Sequence, residues 1–126
     1  MEIMKCGEFK VAKQIGPRGY FGKVRLEVDE VTENGNVVVE FDDHQASRWR
    51  TGARFGIDYV LDHLSKRAIF PNGIRVHVGS IEGHEVDTDN TVIAYVTAIA
   101  LLSALGVEPR KRPDFDENKG AFIFPK

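Results

Sequence analysis

Residues 82 to 106 read EGHEVDTDNTVIAYVTAIALLSALG: acids around a single histidine, an apolar run, then a glycine. Val92, Val96, Ile99 and Ala100 recur at helical spacing, and Gly106 stands where a left-handed residue ends a helix, so the stretch predicts a helix over about Thr88 to Leu105. Tyr95, Leu101, Leu102 and Leu105 fall outside that stripe, and a helix this apolar around its circumference has to be covered on more than one side. Two covers offer themselves. One is the chain's own tail, residues 107–126, where GAFIFPK supplies Phe122, Ile123 and Phe124 after a charged, proline-containing linker; the other is a second copy in a homodimer. The acids ahead of the helix read as its start, with Asp87 or Thr88 capping exposed amides and Asp89 facing the dipole from the first turn. Capping leaves His84 unexplained, because it precedes the cap on a loop.

Working backwards, Ile74, Val76 and Val78 alternate with Arg75 and His77, the mark of a half-buried strand with His77 toward water. Before it, Ile57, Val60, Leu61, Leu64 and Ala68 share one helical face, while Arg54, Asp58, Asp62 and Lys66 share the other. Pro71-Asn72-Gly73 ends that helix. In the first third, Phe9, Val11 and Ile15 share a parity, Val24, Leu26 and Val28 alternate with charged residues, and Val37, Val39 and Phe41 resume the alternation after Asn34-Gly35. That dipeptide favours a two-residue hairpin turn, so this part reads as antiparallel sheet. The expectation is one α+β domain over residues 1–126, an antiparallel or mixed four-stranded sheet with two helices on one face.

A chain of 126 residues with formal charge −2 and 42% hydrophobic residues fits a single globular core without a global bias toward nucleic acid. Charge is unevenly placed. Lys5, Lys10, Lys13, Arg18, Lys23 and Arg25 face only Glu8 over residues 5–25, whereas residues 27–43 carry acids and no base. The single cysteine, Cys6, cannot form an internal disulfide, the N-terminus lacks the apolar core of a signal peptide, and the run Val92 to Leu102 is too short to span a membrane. A cytoplasmic setting is expected. The acidic cluster fits neither a calcium loop nor a zinc site, no serine or cysteine sits in a nucleophile context, and no phosphate loop for GTP or ATP occurs. The chain is therefore expected to be no enzyme and to carry no metal, nucleotide or other cofactor.

Between the first two strands lies QIGPRGYFGKV, in which Gly16, Gly19 and Gly22 are spaced by three. A strand follows it, so it is no dinucleotide fingerprint. Glycines of this kind can bring backbone amides near a phosphate, Arg18 and Lys23 add charge, and Tyr20 and Phe21 offer stacking faces; a plain hairpin tip is the alternative. Trp49, between Arg48 and Arg50, is a candidate interface anchor together with Tyr95, Leu101, Leu102 and Leu105, or else a lid on the core beside the first helix.

Taken in order, the G-x-R-G-x-x-G segment, the helix FGIDYVLDHL and the run IRVHVGSIEGHEVDTDNT resemble domain IV of translation elongation factor G over residues 8 to about 106. The resemblance implies a ribosomal-protein-like β-α-β sandwich with a left-handed crossover, and two tip loops that enter the decoding centre of the small ribosomal subunit. It places Gly16, Arg18, Gly19 and Gly22 in one tip loop and His84, Glu85, Val86 and Asp87 in the other. Tyr20, Phe21 and Lys23 lie in the first of these tips and are counted with it as RNA-facing, and with the two loops as neighbours Arg18 and Lys23 would partly balance Glu82 and Glu85. The expected partner is the ribosome and its RNA. Pro17, Tyr20-Phe21 and Lys23 depart from the family's loop, and the GTPase domain is absent from this sequence. A protein-interaction module that keeps the fold, and a small RNA-processing subunit, are the alternatives.

Overall fold

A computed structural model of the chain describes residues 5–30, 36–42, 48–64, 73–84, 86–107 and 112–125. In chain order the elements are β1 (Lys5–Ile15), β2 (Arg18–Glu30), β3 (Asn36–Phe41), α1 (Arg50–Leu64), β4 (Gly73–Glu82), α2 (Asn90–Leu105), β5 (Asp114–Asp116) and β6 (Ala121–Ile123). The first four strands form one mixed sheet in the order β1-β2-β4-β3, and β5 pairs with β6 in a separate hairpin. The α+β class read from the periodicities is the class observed.

Strand order differs from the hairpin expected at Asn34-Gly35, two residues that lie outside the described ones. β3 does not neighbour β2; it runs parallel to β4, which pairs antiparallel with β2 on its other side. Burial gives the reason. Ile74, Val76 and Val78 are at most 3% exposed and take the central position, whereas Val37 and Val38 of β3 are 42% and 36% exposed, which an edge strand tolerates. Helix α1 connects the parallel pair, because parallel neighbours cannot be joined by a tight turn.

Inward positions keep a strict alternation along β2, where Val24, Leu26 and Val28 are buried. In β4 the alternation breaks. Arg25 pairs with Ser80 but Leu26 pairs with Val78, so Gly79 is an extra residue. The bulge reverses the parity beyond it, bringing Ile81 into the core and turning Ser80 and Glu82 to the helix-free face.

Helix α2 is buried at every position from Val92 to Leu102 because it lies between the sheet and α1. Glycines permit the close approach on both sides. A Cβ on Gly7 of β1 would fall 2.0 Å from the Ala100 carbonyl oxygen, and one on Gly56 of α1 would fall 2.4 Å from that of Ala94. Ion pairs such as Arg75 with Asp29 and Glu40 cover the opposite face of the sheet. The β5–β6 hairpin supplies a further cover: Phe122 packs 4.9 Å from the Tyr95 ring, and Phe124 packs 5.3 Å from Tyr59 of α1. Tyr59 also donates to the Pro125 carbonyl.

Trp49, Tyr95, Leu101, Leu102 and Leu105, proposed from sequence as an interface, are therefore all buried within the one chain. Helix α1, the sheet and the tail together cover what the sequence left as an unassigned apolar circumference of α2. Trp49 is the core lid of the two readings given above. Among the described residues no helix is long and apolar enough to cross a membrane.

Candidate nucleic-acid interface

The glycine-rich segment is hardly a loop. β1 ends at Ile15 and β2 begins at Arg18, with those two residues paired, so only Gly16 and Pro17 turn the chain. Gly16 has φ of 59°, the left-handed region that glycine enters without a Cβ penalty. The rest of the segment is strand, and strand parity sorts its side chains.

Tyr20 faces inward at 5% exposure, packs on Phe115 and Phe122, and donates its hydroxyl to the Gly120 carbonyl at 3.2 Å. It is not a stacking face for a ligand. Gly22 is buried beneath α2, where a Cβ would meet Val92 at 2.9 Å. Gly19 is buried as well, covered by the Asp87 carboxylate, so neither glycine presents its amide to a phosphate. The spacing by three serves helix packing and loop docking.

Phe21, with the opposite parity, carries the contact between the two segments. Its ring lies parallel to the His84 imidazole, with centroids 4.0 Å apart and planes 4° from parallel. Lys10 from β1 places its ammonium 5.8 Å from the Phe21 ring centre. Hydrogen bonds fix the arrangement. Phe21 N–H donates to the Asp87 carbonyl at 3.0 Å, the Thr88 hydroxyl donates to the Phe21 carbonyl at 2.6 Å, and the same hydroxyl accepts from His84 N–H at 2.7 Å. The amides of Asp87 and Thr88 both donate to the His84 carbonyl and close the loop on itself. Glu85 lies outside the described residues.

Thr88 is thus a clamp between the segments and not the helix cap. Asp89 caps α2: one carboxylate oxygen accepts from Val92 N–H at 2.9 Å, and the other lies 3.4 Å from the Arg18 guanidinium. Lys23 pairs with Glu8 at 3.6 Å. Among the described residues these partners stand in place of the expected balance of Arg18 and Lys23 by Glu82, because Lys23 and Glu8 share the outer face of neighbouring strands; the part expected of Glu85 lies outside them. Both pairs are largely solvated and contribute little to stability.

The pole so formed exposes His84, Arg18 and Val86, the last of which is 94% exposed. Lys10 was not among the site residues read from sequence, and Val86 entered only as one position of the H-E-V-D run. An amphipathic signal does not reveal either: Lys10 matters through the strand next door, and Val86 through a loop that leaves it nothing to pack on. Among the described residues no group of three His, Cys, Asp or Glu side chains could hold a metal ion.

No protein-family model and no curated protein matches this chain. Among solved structures it is similar to a protein of Thermus thermophilus, with 20% identity and a TM-score of 0.58, covering 82% of this chain and 16% of that one. The likeness, at that identity, shows a shared fold. The chain spans only that 16% of the Thermus protein's length. It is also similar to the mevalonate kinase of Methanococcus jannaschii (14% identity, 87% of this chain, 42% of that one, TM-score 0.46) and the phosphomevalonate kinase of Streptococcus pneumoniae (10%, 86%, 36%, 0.36). At those TM-scores neither bears on the site.

Proposed function

We propose that the chain is a translation-related, non-catalytic module that contacts ribosomal RNA near the decoding site through the pole built from Arg18, Phe21, His84 and Val86. The observation that carries this reading is the joining of two sequence-distant segments by Thr88, which presents an imidazole on an aromatic ring beside the Lys10 ammonium, with the Arg18 guanidinium held at the same end by Asp89. Stacking surfaces and guanidinium groups at an exposed end suit unpaired bases and phosphates. Any coupling to GTP hydrolysis would require a partner, since the sequence holds no phosphate loop.

The test is co-sedimentation of the chain with small ribosomal subunits across a salt series. Wild type should pellet at low salt and release as salt rises. Arg18→Ala should bind more weakly with a shallower salt dependence, and His84→Ala more weakly with the slope unchanged. Binding that neither substitution affects would remove the pole from the interaction.

A second reading is favoured by one feature. Phe55 is 54% exposed and Ile123 46% exposed, and Phe55 packs edge-on against Phe124 at 5.5 Å, an aromatic patch on the outside of the helix layer. In that reading the chain contacts another protein through the patch. Loss of partner binding in Phe55→Ser, with RNA association intact, would support it.

A further inference from the structure

Beside the pole runs a groove that shares Phe21 and His84 with it and adds groups the RNA-contacting reading does not use. Phe21, Arg48, Trp49, Ser80, Glu82 and His84 line it. The His84 imidazole is exposed and backed by Phe21, and the Arg48 guanidinium lies 4.9 Å from the centre of the Trp49 ring. Gly83 admits that ring, since a Cβ there would fall 2.6 Å from it. The bulge at Gly79 turns Ser80 and Glu82 outward, and among the described residues no cation pairs with Glu82. Lys23 stands across the strand from Glu82, but its ammonium goes to Glu8.

A planar platform beside a carboxylate that no described cation pairs with selects among bases. A carboxylate offers two acceptor oxygens and no donor. Guanine alone presents two adjacent N–H donors on its pairing edge, at N1 and N2. Adenine and cytosine place an acceptor beside their amino group, and uracil flanks its single N–H with carbonyls, each of which would meet the carboxylate unfavourably. We propose that this groove takes an unpaired guanine of RNA, with the base stacked on His84, its N1–H and N2–H donated to Glu82, and its phosphate toward Arg48. The proposal rests on the RNA-contacting reading and adds to it a base preference that the cations of the pole cannot supply.

Trp49 is the chain's one tryptophan and lines the groove, so its fluorescence reports occupancy. The full chain is titrated at low salt with short unstructured RNA oligonucleotides that differ only in their central base. The guanine-centred oligonucleotide should quench Trp49 and bind about fivefold or more tighter than the other three, the discrimination expected of one bidentate contact. Glu82→Gln should abolish the preference while weak, base-independent binding persists, and Arg18→Ala should weaken all four alike. Equal quenching by all four bases, or a guanine preference that survives Glu82→Gln, overturns the proposal. Ribosome binding without base preference defeats the groove alone; guanine preference without ribosome binding defeats the ribosomal reading alone.

Discussion

Thr88 bears more on the candidate site than any charged residue. Its hydroxyl accepts from His84 N–H and donates to the Phe21 carbonyl, and the residue is 8% exposed, so both partners lose their hydrogen bond if it is removed. Thr88→Val, close in shape, should lower stability by about 1–3 kcal/mol in chemical denaturation. A variant within error of wild type would mean that the clamp contributes nothing. Tyr95 gives a pH prediction at the same scale. Burial foremost, and then the nearby Asp114, hold its phenol above the ordinary value of 10.0. The folded chain keeps that proton more tightly than the unfolded one. The contribution is complete below pH 10.0 and is lost as pH rises through the folded value. Stability should therefore fall in the alkaline range, and Tyr95→Phe should make the fall shallower; Tyr59, also raised by burial, retains part of it. An equal slope in the variant would contradict this assignment.

At the scale of elements, the close approach of α2 to the sheet depends on glycine. Gly7→Ala would drive a methyl group against the backbone oxygen of Ala100, which cannot swing aside as a side-chain tip can. We expect a loss of about 1–3 kcal/mol, read as a lowered denaturation midpoint, with a shifted helix–sheet spacing; a neutral substitution would show that α2 has room. Periodicity made the elements legible because burial on one face imposes a period of two on strands and near four on helices. It could not give strand order, since Val37, Val39 and Phe41 alternate identically whether the partner is β2 antiparallel or β4 parallel. Nor could it choose the cap of α2. Asp87, Thr88 and Asp89 are all capable, and Asp89 takes the role while the Thr88 hydroxyl is engaged across the pole and the Asp87 carboxylate lies over Gly19. Tyr20 was misread as a stacking face for a plainer reason. Continuing the β2 alternation back from Val24 through Gly22 assigns Tyr20 inward and Phe21 outward, but reading the glycines as a long loop hid it.

At the scale of the molecule, the sheet and helices bring the β1–β2 turn and the loop ahead of α2 to one end, although Phe21 and Thr88 are 67 positions apart in the chain. Order of motifs pointed to this meeting, while its contacts required three dimensions: the ring stack, the clamp and the Asp89 pairing with Arg18 all cross between segments. The account depends on His84 lying on Phe21 in the intact chain. Proton NMR of the chain tests that directly, because a ring lying face-on at 4.0 Å shields the protons above it. The His84 ring protons should appear upfield of ordinary histidine positions, show nuclear Overhauser contacts to Phe21, and return downfield in Phe21→Leu. Ordinary shifts that Phe21→Leu leaves unchanged would contradict the account.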